Sequence, residues 1–183
     1  MLLLLAACGG VKRVRTKQVV DISGRWNDID AKLVSEEMTR DIVSRPWLSD
    51  FITTHQRQPI LVVGEIVNKS HEHIDSEPFI KDIERDLINA RTLRIITHGT
   101  FREKVRSERK DQHQYTPASE AKKWGRELGA DFMLFGYITA IVDSSPAGKK
   151  RVIFYQVNLE LTDLETNEIV WIGDKKIKKY VKK

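Results

Sequence analysis

The last third of the chain constrains the fold more than any other part. Ile153, Tyr155, Val157, Leu159 and Leu161 alternate with Gln156, Asn158, Glu160 and Thr162, the period-two pattern of a strand with one face on a core and the other toward water. The run before it, Asp131 to Asp143, does not alternate. Phe132, Leu134, Ile138 and Val142 on one side are matched by Met133, Phe135, Tyr137 and Ile141 on the other, so this strand is expected to be covered on both faces. Ser145-Pro146-Ala147-Gly148 supplies a turn between the two strands and Asp163 to Asn167 the next. A last strand, Glu168 to Tyr180, is expected to bury Ile169 and Trp171 and to end in lysines that blunt an exposed edge. The result is an antiparallel meander that needs helices to cover it.

The earlier sequence supplies those helices. Val34, Met38 and Ile42, with Leu33 beside them, form an apolar stripe at helical spacing after Asp28 and Asp30, and Pro46 stops the pattern. After Pro59, the β-branched run Ile60 to Val67 reads as a central strand buried on both faces. Ser76, Glu77 and Pro78 open a helix that places Phe79, Ile83, Leu87 and Ala90 on one side. Leu93 to Thr97 reads as a short strand. Thr100 and Glu103 form a capping box before a charged helix whose residues Arg102 to Asp111 make a solvated, salt-bridged face. Thr116-Pro117 opens another helix, with Ala121, Trp124 and Leu128 buried and Gly129 as its cap. The expectation is an α/β sandwich of about five strands and about four helices with an antiparallel C-terminal meander.

With 183 residues and 40% apolar content, such a domain can bury its own core without metal or disulfide staples. The net charge of +5 does not mark a nucleic-acid binder. Lys12, Arg13, Arg15 and Lys17 stand together without an acidic neighbour and hold most of the surplus, which leaves a nearly neutral body. The closing run of Lys175, Lys176, Lys178, Lys179, Lys182 and Lys183 is expected to be a solvated edge.

The N-terminus reads as an address. Leu2 to Ala7 are apolar and end at Cys8, the only cysteine, and Leu5-Ala6-Ala7-Cys8 has the Leu, small, small, Cys pattern found before the modified cysteine of bacterial lipoproteins. The run is too short to span a bilayer and lacks the basic n-region and longer apolar stretch of a full secretory signal. Residues 1–7 are therefore read as a residual signal peptide, 8–20 as a lipidated Cys8 with a short basic tether, and 21–183 as a single α/β domain. Acyl chains on Cys8 would hold the protein at a membrane, and the basic tether would add attraction to anionic head groups.

The chain carries no recognisable catalytic apparatus. There is no Gly-rich phosphate loop, no His-Glu-x-x-His, no Gly-x-Ser-x-Gly and no second cysteine. In Asn68-Lys69-Ser70-His71-Glu72-His73 the two imidazoles fall on one side of an extended chain, as in a metal-binding pair, but no third ligand stands at a commending spacing. The segment reads as a polar loop, with neither metal nor cofactor. Asp28/Asp30 and Glu36-Glu37 read as helix-start and helix-surface residues rather than acid-base pairs.

Three stretches, Asp21-Ile22-Ser23-Gly24-Arg25-Trp26-Asn27-Asp28, Ser44-Arg45-Pro46-Trp47-Leu48 and Val67-Asn68-Lys69-Ser70-His71-Glu72-His73-Ile74, together with Phe79 to Glu84, Gly129 to Leu134 and Val170 to Gly173, occur in collinear order. In them the chain resembles the LpoB-type lipoprotein activators of penicillin-binding proteins. The resemblance implies a fold like the N-terminal domain of TolB. It also implies an outer-membrane lipoprotein, facing the periplasm and without catalytic residues, that docks onto a bifunctional class A penicillin-binding protein. Such a protein stimulates both polymerisation and cross-linking of peptidoglycan. Arg25, Trp26, Asn27, Asp28, Arg45, Trp47, His71 and His73 are the candidate contacts, on a domain expected to be monomeric. Two features leave the partner open. The tether is about a dozen residues, where the best-known members carry a long linker, and an envelope scaffold or curli-type secretion accessory would share anchor and fold.

Overall fold

The computed structural model describes residues 13–15, 18–96, 126, 129–146 and 148–182. Helix α1 spans Asp28–Val43, α2 Pro46–His55 and α3 Glu77–Ala90; the strands are β1 Ile60–Asn68, β2 Arg94–Ile95, β3 Phe132–Ser144, β4 Lys150–Asp163 and β5 Ile169–Lys182. The five strands form one sheet in the order β2-β1-β3-β4-β5. β1 runs parallel to β2 and β3, and β3, β4 and β5 form the expected antiparallel meander.

Each helix begins where the chemistry allows it. The Asn27 side chain accepts the amides of Ile29 and Asp30 while the Asp30 carboxylate accepts the Asn27 amide, a reciprocal capping box that satisfies N–H groups otherwise left without partners. Pro46 does not merely stop α1. It occupies the first turn of α2, where a missing N–H costs nothing and a fixed φ suits a helix start, so a helix stands where the sequence pattern foretold only a break. In α3, Pro78 plays the same part, but the Ser76 side chain makes no capping bond; the Glu77 amide is taken by Asp75 instead.

The core lies on one face of the sheet. Leu61, Val63 and Ile66 of β1, Leu134 and Ile138 of β3, Val157, Leu159 and Leu161 of β4 and Trp171 of β5 meet Val34, Met38 and Ile42 of α1, Trp47 and Phe51 of α2, and Phe79, Ile83 and Leu87 of α3. Burying each of the three α3 side chains is worth about 2 kcal/mol. Val62, Met133, Ala130 and Leu164 form a smaller cluster on the opposite face, so β1 and the first half of β3 are covered on both sides as expected. At Gly173 a Cβ would lie 2.2 Å from the Trp171 ring; only glycine lets that indole fold back over its own strand.

Several expectations are corrected. Three helices stand among the described residues; the charged helix after Thr100 lies outside them, and of the Thr116 to Gly129 helix only Arg126, which is helical, and Gly129, which has the left-handed φ of a helix cap, are described. Leu33 is half exposed, since it sits beside the apolar stripe and not on it, and Ile169 is exposed because it precedes a register shift between β4 and β5. Ile141 and Val142 are 66% and 44% exposed. The second half of β3 outruns the three described helices and is not covered on both faces.

Candidate functional site

The segments 21–28 and 68–74, far apart in sequence, meet over the inner face of β4 and β5. Residues 21–27 form a strap that crosses the sheet before α1 begins. Asp21 Oδ1 accepts the Gly24 amide at 2.8 Å, which closes a tight turn. Gly24 has φ +70° and a Cβ there would sit 2.3 Å from Val181 Cγ2, so the turn needs glycine both for its backbone and for its approach to β5. Arg151 holds the strap from β4 by donating to Ser23 O at 2.8 Å.

Beneath the strap lies Lys179. Its ammonium reaches Asp21 at 2.8 Å, the Asp30 carboxylate and the carbonyl of Arg25 at 2.9 Å. The lysine side chain is 10% exposed and that of Asp30 5%, so these charges are largely withdrawn from water and hold only because they are paired. Burial works against the Lys179 charge, but the bonds to Asp21 and Asp30 outweigh it and hold its pKa above the ordinary lysine value. The Lys179 bond keeps the Asp21 carboxyl below the ordinary value. Asp30 goes the other way. Burial raises it more than Lys179 and the Asn27 amide lower it, and the neighbouring Asp21 charge pushes in the same direction as burial.

The second contact runs through Glu72. Its carboxylate accepts the Tyr155 hydroxyl at 2.8 Å and the Trp26 amide at 3.2 Å. Burial and the adjacent carboxylate raise the Tyr155 pKa and keep the phenol a donor. The loop that presents Glu72 is tied at its base. Asn68 Nδ2 donates to Glu72 O at 2.7 Å, its Oδ1 accepts the Ser70 amide and hydroxyl, and the Lys69 amide donates to Ile138 O. Trp26 closes the network as a lid, edge-on to Tyr155 at 5.6 Å and to Phe79 at 6.3 Å.

The candidates read from sequence therefore divide. Arg25, Asp28, His71 and His73 are exposed at this end, on backbone held from below. Trp26 and Asn27 belong to the same end but serve as lid and cap. Arg45 and Trp47 are not brought to them. Arg45 is exposed and paired with Asp41, while Trp47 is buried at the opposite end of the sheet, its indole N–H on Ile42 O at 2.8 Å and its ring against Phe132. Cys8 lies outside the described residues. Among the described residues no group of three or more His, Cys, Asp or Glu is placed to hold a metal, and no helix is long and apolar enough to cross a membrane.

Asp21, Glu72, Tyr155 and Lys179 were not singled out from the sequence. A signal for Lys179 existed: it shares the strand parity of Trp171 and Ile177, so it points inward. The closing lysines are accordingly not a uniform solvated edge. Lys179 is half-buried with its side chain turned inward, Lys175 pairs with Glu37, and the even-numbered ones face outward.

The comparisons with known proteins agree with this architecture. No curated protein matches the sequence. Among solved structures, the LpoB C-terminal domain from Escherichia coli is similar with a TM-score of 0.56 at 13% identity, covering 81% of this chain and 98% of that one. The NMR structure of E. coli LpoB is similar with a TM-score of 0.50 at 12% identity, covering 99% and 84%. At such identities the likeness concerns the fold. The model of the family "Peptidoglycan-synthase activator LpoB" matches residues 30–177. That match takes in α2, α3, all but the first two residues of α1 and most of the sheet, and the chain belongs to the LpoB family of peptidoglycan-synthase activators.

Proposed function

We propose that this protein is a lipoprotein, anchored through Cys8 in the outer membrane and facing the periplasm, whose 21–183 domain binds a class A penicillin-binding protein as a monomer. Binding stimulates both polymerisation and cross-linking of peptidoglycan. Membership of the activator family carries the reading. The exposed residues Arg25, Asp28, His71 and His73 support it, because they are polar groups on rigid backbone with no task in the core. An activator works only by binding the active state of its target more tightly than the inactive one, and a surface fixed by the strap and loop is suited to that discrimination. Catalysis stays with the synthase.

The test is glycan-strand synthesis from lipid II by the same organism's class A penicillin-binding protein, with and without the purified Cys8→Ser chain. Saturable stimulation of several-fold is expected. Arg25→Glu, His71→Ala and His73→Ala should weaken it while changing stability by less than about 0.5 kcal/mol, as exposed substitutions do. Absence of both stimulation and binding would remove the activator reading and leave an envelope scaffold.

A further inference from the structure

The strands β3, β4 and β5 continue past the helices as a three-stranded tip whose two faces are unlike. On the inner face the strap covers β4 and β5, with Gly24 seated on Ile153 and Val181, and leaves Val142 of β3 partly open. Among the described residues the outer face has no such cover. Cross-strand rows there place Ile141 beside Phe154 and Lys178, and Asp143 beside Val152 and Tyr180, with Lys150 opposite Lys182 at the end. Ile141 and Tyr180 are 66% and 60% exposed, Phe154 and Val152 are half-buried between them, and Lys150, Lys178 and Lys182 are exposed. Among the described residues these three lysines have no carboxylate partner; Lys176, in the next row, pairs with Asp174. Asp143 is the one acidic group set among them.

We propose that this outer face is a docking surface for a membrane bearing anionic phospholipid head groups, a second contact beside the lipid anchor. The charge is complementary: three unpaired cations frame an apolar centre, and each lysine near an anionic bilayer is worth about a fivefold gain in partitioning. The shape is that of an interfacial site, because Ile141 and Phe154 can enter the head-group boundary while Tyr180 and the lysine stems keep their polar ends in water. A highly charged acidic polymer would match the lysines but leave the apolar centre unused. The location fits as well. The strap enters at this tip, so the chain leading back to Cys8 leaves the body here, and the thirteen residue steps from Cys8 to Asp21 reach at most on the order of 45 Å. A short tether and a membrane-facing tip together hold the domain in one orientation.

This inference is independent of the synthase assay and is tested without a synthase. In the full-length Cys8→Ser chain, which has no other cysteine, Ile141→Cys carries an environment-sensitive fluorophore, and Ser49→Cys on α2 carries the same probe as a reference. Vesicles of phosphatidylethanolamine with phosphatidylglycerol should blue-shift and brighten the probe at 141 but not that at 49, and phosphatidylcholine vesicles should move neither. Lys178→Gln with Lys182→Gln should weaken partitioning about 25-fold without changing the melting temperature. A silent probe at 141, equal responses at 141 and 49, or unchanged partitioning of the double variant would overturn the proposal. So would binding to a sulfated polysaccharide with no response to the anionic vesicles, which would assign the face to an acidic polymer.

Discussion

The two ends of the sheet are closed by different physics. At the α2 end the closure is aromatic: Trp47 and Phe51 meet Phe132 at 5.0 and 5.3 Å, and His55 stacks on Phe51. At the strap end it is ionic and hydrogen-bonded: Lys179 holds Asp21 and Asp30, and Glu72 holds Tyr155 and Trp26. The aromatic end gains stability from area removed from water, which is large and indifferent to exact position. The ionic end gains less, because desolvation offsets most of the Coulomb attraction, but it fixes a short segment in one register. The first kind of closure suits a foundation. The second suits a surface whose residues must be presented at fixed positions.

The aromatic end should show the largest effect. Trp47→Ala removes a buried ring and its bond to Ile42 O, and a loss of about 4 kcal/mol is expected in urea unfolding. A loss below about 1 kcal/mol would mean that this end is not the foundation. Lys179→Met comes next, with about 3 kcal/mol, because it leaves two carboxylates facing each other without their cation. The damage should be confined: amide exchange should accelerate in residues 21–27 and stay slow in β1 and β3. Uniform acceleration would show that the strap is part of the global core and not a locally held device.

Much of this contrast was legible in the sequence, and the part that was not has physical causes. Period-two alternation located β4, and helical spacing located α1 and α3, because burial of one face is written directly into residue order. Pro46 was ambiguous, since the same ring that ends one helix can begin another. The exposure of Ile141 and Val142 depends on how far the strands outrun their helices, a property of three-dimensional lengths that alternation does not encode. The site was half legible. Its two motifs were visible as stretches of the family resemblance, but their meeting depends on β4 and β5 carrying Tyr155 and Lys179 under both, and a lone lysine among lysines gives no sign of pointing inward except its parity.

Smaller effects sharpen the comparison within the ionic end. Tyr155→Phe keeps the ring under Trp26 and deletes only the bond to Glu72, so a loss of about 1.5 kcal/mol is expected, in the range of a hydrogen bond to a charged acceptor. Glu72→Gln should cost less, because the amide oxygen can keep the Trp26 N–H while the amide nitrogen donates to the phenol oxygen. If Glu72→Gln proved the more damaging of the two, the carboxylate would be needed for its charge and not for its geometry.

The smallest effect separates one carboxyl at each end, Asp131 and Asp30, by the sign of its response to acid; Asp21 at the strap end sides with Asp131. At the α2 end, burial acts to raise the Asp131 carboxyl, but the paired Arg57 guanidinium, bonded at 2.6 and 2.7 Å, and the Ile60 amide outweigh it and hold the pKa below the ordinary value. Its ionised form therefore favours the fold, an advantage present above about pH 4 and lost as pH falls through the depressed value. Asp30, raised chiefly by burial, favours the fold in its neutral form; that advantage is present below about pH 4 and is lost as pH rises through the raised value. Carboxyl carbon NMR titration should place the Asp131 midpoint below and the Asp30 midpoint above that of an unstructured aspartate. Asp131→Asn should flatten the acid limb of the stability curve, since it removes a group that must take up a proton on unfolding. Midpoints on the same side of the ordinary value would dissolve the distinction, because Asp30 would then answer acid as Asp21 and Asp131 do, as an ordinary paired carboxylate.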